Sequence, residues 1–540
     1  MVETIGDLLK KQAERFPERL AVKFGDREIT YRELDEMVDR LAYALFKMGV
    51  KKGDKVGLWM QNIPEWVVGW FAIPRIGAVV VPMDTWYKPS EAEYILGHSE
   101  SVAVITAERH GKVDFIGMLS EIRDKLPDLK NTIVVGKAPD WGISFEDALK
   151  MGEGWDKDEE YEKRKKALDL DDVTFILYTS GTTGKPKGAM LTHYNIVQNA
   201  LDTANTLRAT EEDRYLVQVP FSHCFGCVLG ITAAVNKGSA IIPLPVFTPE
   251  NSLKAIEENK ATVVHGVPTM FIRMLEVLKN KKYDMSSMRT GIMAGAPCPV
   301  EVVKAVKSEM NMDVLIAYGL TEASPVITMT SFDDSDELKA ETVGRTIPGV
   351  CVKIVDENRK EVPIGEMGEL ACRGYNVMKG YFKRPDATAE TIDEEGWLYT
   401  GDLATIDKYG YVRIVGRKKE MIIVGGFNVY PREIEEYIRE FDKVQDVAVA
   451  GVPDKELGEV VGAAVIPREG VEIDPIEIVD FCYGKIASAK VPRYVIIVDE
   501  LPISGRGKVQ KFRLTEIFKE KIEKGEIEKL VPTAVKNKKK

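Results

Sequence analysis

A chain of 540 residues, 44% hydrophobic and 29% charged, is too long for one core and too apolar for extensive disorder, so it predicts a subdivided large lobe and at least one smaller domain. A net charge of −11 excludes an overall nucleic-acid binder, which needs a basic face. The most apolar long stretch, Trp66 to Met83, contains Pro74, Arg75 and Gly77 and reads as a core helix followed by a strand, which excludes an integral membrane segment.

The N-terminus has neither a basic n-region nor an apolar h-region, so the expected compartment is the cytoplasm. Residues 4–16 place Ile5, Leu8, Leu9 and Phe16 at helical spacing, and Arg19 to Phe24 reads as a strand turned by Gly25-Asp26. Thr30-Tyr31-Arg32-Glu33 is a capping-box pattern ahead of Leu34, Met37, Val38, Leu41, Leu45 and Met48 on one helical face. Strands at 55–60, 78–82 and 102–106 then alternate with helices opened by Pro64 and centred near residue 94. Such alternation predicts an α/β fold with mainly parallel, doubly wound sheets. Residues 153–168 are dense in charge and read as a solvated helix or loop.

A β-rich run, Thr174 to Tyr178, next breaks into Thr179-Ser180-Gly181-Thr182-Thr183-Gly184-Lys185-Pro186-Lys187-Gly188 before resuming at Ala189. Glycines let backbone N–H groups close around an anion, hydroxyls add short donors, and Lys187 adds charge, so the stretch suits phosphate oxygens. It is not a Walker A loop, because Pro186 stands where that spacing requires the second glycine. The bland alternative is a hairpin turn rich in Gly and Thr. Beyond it, 194–207 is amphipathic, and strands are expected at 240–244, 261–267 and 313–318. Cys224 and Cys227 form a Cys-x-x-Cys without a second pair at metal spacing, and their apolar setting predicts buried thiols. From about residue 341 the texture changes to short strands and turns, and after the polar bridge Gly416-Arg417-Lys418-Lys419-Glu420 a helix at 433–441 opens a smaller α+β unit.

Four later stretches make the loop specific: Tyr318-Gly319-Leu320-Thr321-Glu322, Tyr399-Thr400-Gly401-Asp402, Gly416-Arg417-Lys418-Lys419-Glu420, and Leu501-Pro502-Ile503-Ser504-Gly505-Arg506-Gly507-Lys508. In this order, the five resemble the adenylate-forming superfamily of acyl-CoA synthetases, adenylation domains and luciferases. Gly425-Gly426-Phe427-Asn428-Val429-Tyr430-Pro431 looks most like fatty acid-CoA ligases. The resemblance implies a large lobe over 1–416 with a β-rich part at about 341–416, a hinge at 417–420 turning about Lys419, a small mobile α+β domain at 421–523, and a basic tail at 524–540.

It also implies roles. The loop with Lys187 would hold the β- and γ-phosphates of ATP, and Thr179 and Glu322 would bind Mg²⁺. Gly295-Ala296-Pro297 would pass the adenine and Tyr318 would stack on it, while Gly319 and Thr321 belong to the same nucleotide-binding motif. Asp402 and Arg417 would hold the ribose, and Lys508 would bridge carboxylate and α-phosphate in the first step only. Gly425, Gly426 and Phe427 would form the entry for CoA. Three departures stand out: apolar Ile316-Ala317 before Tyr318, Ile423 in place of a lysine of some relatives, and Lys511 where an arginine is frequent.

His223 and Phe225 fall at positions that gate the family's acyl pocket, with Val228, Val267 and Pro325 as apolar walls. A lone histidine on an apolar run is equally well a core residue. An amino acid substrate would call for an acidic partner, and none occurs between Val219 and Thr232. The expected activity is an ATP-dependent, AMP-forming fatty acid-CoA ligase for medium or long chains. An aryl-acid CoA ligase and an enzyme loading a carrier protein are the alternatives. The expected partners are a small carboxylic acid, ATP and CoA, with a homodimer left open.

Overall fold

The computed structural model describes residues 3–179, 186–296, 298–503 and 509–536. The chain divides into two compact units, the first comprising Met1–Val352 and Cys372–Leu398, the second Lys353–Ala371 and Tyr399–Lys540. Two sheets organise the first unit, with nine and eight strands among the described residues. The central strands of the nine-stranded sheet are parallel, ending in the neighbours Thr290–Ala294 and Asp313–Gly319. The eight-stranded sheet is parallel from Val173–Thr179 through Val79–Pro82 and Lys55–Trp59 outward, and Lys187–Thr192 and Gly380–Tyr381 extend it antiparallel on the other side.

Local chemistry accounts for these elements. The capping box closes as expected: the Thr30 hydroxyl accepts the Glu33 N–H, and the Glu33 carboxylate accepts the Thr30 N–H at 2.8 Å, starting the helix Tyr31–Lys47. The helix Pro64–Arg75 is buried over its whole length, so it needs partners on every side. Trp70 stacks on Phe175 at 3.9 Å and donates its Nε1–H to the Thr232 hydroxyl, while Trp66 packs against Phe221 at 5.2 Å. At the C-terminal end Arg75 pairs with Asp35 at 2.6 Å and Asp39 at 2.9 Å.

Two expectations change. The charged stretch 153–168 is not merely solvated: in its helix Glu159–Lys166, Tyr161 is fully buried and donates to Asp39 at 2.8 Å, beside Lys165 at 3.3 Å. The strand expected over 261–267 shortens to Val263–Val264, with Gly266 in a single bridge to Met293, because Pro268 opens the next helix.

A four-stranded sheet, formed by Val350–Val355, Gly368–Gly374, Leu398–Ile406 and Val412–Arg417, takes most of its residues from the second unit. That unit also holds a five-stranded sheet with the helices Pro431–Arg439, Pro475–Cys482 and Lys511–Glu523. About half of the expected β-rich stretch, Lys353–Ala371 and residues 399–416, thus groups with the C-terminal residues, ahead of the segment 417–420. No disulfide joins any of the six cysteines; Cys224 and Cys227 are buried, and burial pushes the Cys227 thiol well up. Among the described residues no helix is long and apolar enough to cross a membrane.

Arg75→Ala, which removes the nearest cations from Asp35 and Asp39, is expected to destabilise the first unit by about 3–5 kcal/mol, read as a lower urea midpoint by circular dichroism. A second expectation concerns pH. Burial pushes His193 and His265 down to about 4, whereas an unfolded histidine titrates near ~6.5. Between those values the unfolded chain binds more protons, so this stability is complete above about 6.5 and is lost as pH falls towards 4. The thermal midpoint should decline across that window, and less steeply in His193→Asn.

Candidate active site

The two arms that flank the glycine-rich loop pair antiparallel from Val173↔Thr192 to Thr179↔Lys187. Ser180, Gly181, Thr182, Thr183 and Gly184 lie outside the described residues. The arms pair as a hairpin's strands do, and the turn that both the phosphate-loop and the bland reading concern lies outside the described residues. The arms are held from several sides. Phe175 stacks on Trp70, the Tyr178 hydroxyl meets His98 Nδ1 at 2.8 Å, and Tyr94 donates to the Pro186 carbonyl at 3.0 Å. At the open end the Thr179 hydroxyl donates to the Lys187 carbonyl at 3.3 Å, which leaves its lone pairs for a cation.

Glu322 sits in a tight return at 320–325. Leu320 N–H donates to the Pro325 carbonyl at 2.9 Å, and a Cβ on Gly319 would lie 1.8 Å from the same oxygen, so only glycine fits there. Asn199 brackets Val326 through both its amide atoms, and the Ser324 hydroxyl donates to the Asn376 carbonyl. Met378 N–H donates to the Glu322 carbonyl at 2.9 Å. The Glu322 side chain, 8% exposed, accepts from the Tyr381 hydroxyl at 2.8 Å, and Lys187 Nζ lies 4.3 Å from the centre of the same ring. Burial and the Glu322 charge push the Tyr381 phenol up, so it remains a donor. Thus Lys187 and Glu322, far apart in sequence, are linked through Tyr381, which sequence reasoning missed; no periodicity or spacing marks it.

The segments assigned to the adenine lie together. Gly295 and Ala296 follow the strand Thr290–Ala294, Tyr318 and Gly319 end its parallel neighbour, and the two are in register at Ala294↔Ala317. Gly295 and Gly319 are exposed and Tyr318 is partly buried, at the carboxyl ends of parallel strands where α/β sheets bind ligands. Ile316 and Ala317 are buried sheet residues, which explains their apolar character. Pro297 lies outside the described residues.

The residues expected to line an acyl pocket lie near one another. His223 is partly buried, and its Nδ1 accepts the Phe225 N–H at 3.0 Å, capping the turn Cys224–Gly226. The turn continues as a π-helix, Cys227–Thr232, which includes the fully buried Val228; such widened turns recur at functional sites. Phe225 stacks on His265 at 5.8 Å. His265 accepts the Ile292 N–H at Nδ1, so its Nε2–H donates to the Leu229 carbonyl within the π-helix at 3.0 Å. Cys224 Sγ is 3.7 Å from the Thr321 hydroxyl, and a Cβ on Gly295 would lie 3.5 Å from Val267, so this wall adjoins the Glu322 and Gly295 segments. Pro325, in the return beyond Glu322, is buried. His265 was also overlooked, though a polar residue ending the buried run Val263-Val264 was a readable signal.

In the second unit, Asp402 and Arg417 face each other across antiparallel strands, with Arg417 Nε 3.2 Å from Asp402 Oδ1. Asp402 is 7% exposed, and Gly401 before it has φ +73 with its N–H on Glu369. Lys419 is exposed in a short turn at 418–420. Lys511, the residue in place of an arginine, pairs with Glu435 at 2.9 Å and Glu420 at 3.4 Å, a role that asks only for positive charge. Gly425 and Gly426, both with positive φ, form a two-residue turn that presents Phe427 at 70% exposure, and Ile423 of the same hairpin is 48% exposed. Lys508 lies outside the described residues.

Thr179 and Glu322 offer oxygen donors alone, and among the described residues no group of three or more His, Cys, Asp or Glu could hold a metal. That suits Mg²⁺, which takes one or two carboxylates and completes its shell with phosphate and water.

Comparison with known proteins gives the family. Residues 9–382 match the AMP-binding enzyme family and 433–508 match the AMP-binding enzyme C-terminal domain. YngI of Bacillus subtilis (strain 168), which carries the name of an acyl-CoA synthetase, is 45% identical over 95% of this chain and 96% of its own. The human mitochondrial medium-chain acyl-CoA ligase is 35% identical over 95% of this chain and 87% of its own. Among solved structures, the anthranilate CoA ligase AuaEII in complex with anthranoyl-AMP superposes with a TM-score of 0.85 at 28% identity, covering 96% of this chain and 98% of that one. With its loop flanks, its buried carboxylate at Glu322 and both family regions in order, the chain belongs to the AMP-binding enzymes of the adenylate-forming superfamily and is an AMP-forming acid–thiol ligase of the acyl-CoA synthetase kind.

Proposed function

We propose that the chain is a fatty acid-CoA ligase for medium to long chains, converting acid, ATP and CoA to acyl-CoA, AMP and pyrophosphate. In the first step a carboxylate oxygen attacks the α-phosphorus and the bond to the β-phosphate breaks. In the second the CoA sulfur attacks the acyl carbon and AMP leaves. Anion must meet anion in the first step, so preorganised positive charge is the main requirement. On this reading Lys187 and the loop 180–184 hold the β- and γ-phosphates, Gly295 and Tyr318 flank the adenine, Asp402 and Arg417 hold the ribose, and Lys508 neutralises the reacting oxygens. Mg²⁺, held by Glu322 and Thr179, would offset phosphate charge. Lys508 acts in the first step alone; rotation about Lys419 then withdraws it and brings Gly425, Gly426 and Phe427 to the CoA entry. Cytoplasmic residence belongs to the same reading, supported by six cysteines that form no disulfide.

The observation that carries the fatty-acyl assignment is the wall Phe225, Val228 and neutral His265, which has no carboxylate between Val219 and Thr232 to receive an ammonium group. The 35% identity to a medium-chain acyl-CoA ligase supports it. An aryl acid is the second reading, favoured by the stacked Phe225–His265 pair, a flat surface suited to a ring, and by the likeness to an anthranilate CoA ligase.

A panel from acetate to palmitate with benzoates, assayed for AMP release with ATP, Mg²⁺ and CoA, decides between them. Turnover should peak among aliphatic acids, and AMP release with benzoates alone would transfer the assignment to aryl acids. Each methylene contributes only about 1–3 kcal/mol, so the chain-length optimum should be broad. Lys508→Ala should lower adenylate formation by at least about 100-fold while leaving thioester formation from supplied acyl-AMP within a few-fold. Equal loss of both half-reactions would rule out domain alternation.

A further inference from the structure

Tyr381 touches two groups of opposite charge and no role falls to it in the reading above. It lies on the edge strand Gly380–Tyr381, opposite Ala189 of the strand Lys187–Thr192. Lys187 is two residues from Ala189 and so shares its face, diagonal to Tyr381. The backbone of Tyr381 is pinned as well: its N–H donates to the Thr388 hydroxyl at 2.9 Å, and Gly380 has φ +137 where a Cβ would lie 2.8 Å from Thr388. The ring is 6% exposed. A ring serving only as filler would need no hydroxyl, whereas this one donates to Glu322 Oε1 at 2.8 Å and carries Lys187 Nζ over its face at 4.3 Å.

Among the described residues Lys187 and Glu322 form no ion pair with each other, although both touch the same ring. A direct pair in so buried a place would be strong, and both a metal and a phosphate would have to break it to bind. A ring face holds an ammonium more weakly than a carboxylate does, so the lysine can leave it for a phosphate. One phenol hydrogen bond takes one acceptor site of a carboxylate and leaves the others for a hard cation.

We propose that Tyr381 is a positioning residue that keeps Glu322 and Lys187 from neutralising each other, its hydroxyl aiming the carboxylate at the metal and its ring holding the ammonium ready for the phosphates. This rests on reading Glu322 as the metal's carboxylate and Lys187 as a phosphate-side cation.

Calorimetric binding of α,β-methylene-ATP, in which a carbon bridge replaces the bond that the reaction breaks, tests it with full-length protein in excess Mg²⁺ and in EDTA. Tyr381→Phe keeps the ring and removes the hydroxyl. It should cut the tightening of binding by Mg²⁺ about 10-fold while moving the affinity in EDTA less than about 2-fold. In a Glu322→Gln background the same change should add less than about 2-fold, since the two act on one group. As an independent check, Lys187→Met should weaken binding in EDTA and leave the Mg²⁺ increment intact. A Tyr381→Phe loss of equal size in EDTA and in Mg²⁺, or one that adds in full to Glu322→Gln, would overturn the proposal. Wild-type protein that binds no nucleotide in either condition would instead bring down the nucleotide-site reading and this inference with it.

Discussion

A helix buried on every side cannot end its packing at one neighbour, and the helix Pro64–Arg75 imposes that condition on the first unit. Trp70 lies on Phe175 in the strand that leads to the glycine-rich loop and donates to Thr232 in the π-helix. Trp66 meets Phe221, just ahead of the turn Cys224–Gly226. Asn62, just ahead of the helix, donates to the Val217 and Val219 carbonyls and accepts from the Phe221 N–H. The strand Val173–Thr179 and the π-helix Cys227–Thr232 therefore share one apolar support. Burial of large aromatic rings, with few rotamers and dense contacts, makes that support stiff.

On this support the site handles charge by indirect contact. Glu322 is fixed through its own backbone by Met378 and through its side chain by Tyr381, both on one stretch of chain, while the return 320–325 leaves no room for a Cβ at Gly319. The pocket wall follows a similar rule with a neutral group. A π-turn leaves backbone carbonyls poorly served by its own N–H groups, and His265 Nε2–H supplies the Leu229 carbonyl with a donor while its other nitrogen takes the Ile292 N–H. Burial keeps that imidazole uncharged, so this wall carries no net charge there.

Much of this was legible in the sequence because it is local. The capping box at Thr30 and Glu33, the alternation of strands and helices, the turn glycines Gly425 and Gly426, and the ordered motifs around Glu322, Asp402 and Arg417 are all written in neighbouring residues, where backbone preference and side-chain spacing act directly. The buried side of the charged stretch 153–168 was not legible, since Tyr161 becomes a core residue only when Asp39, over a hundred positions earlier, receives its hydroxyl. The shortened strand at Val263–Val264 reflects a competition with the helix at Pro268 that spacing alone did not settle.

By itself, the sequence determined the family, the order of the parts and the chemistry each part can offer, because motif residues at fixed spacing carry hydrogen-bonding and charge properties wherever they fold. Only the tertiary structure decided which of those groups meet. Lys187 and Glu322 are 135 residues apart in numbering and touch one ring, Tyr381, contributed by a third segment; His265 reaches both a π-helix and a parallel strand. Contacts of this kind depend on strand order and register, which place distant residues within a few ångströms of one another and leave no periodic trace along the chain.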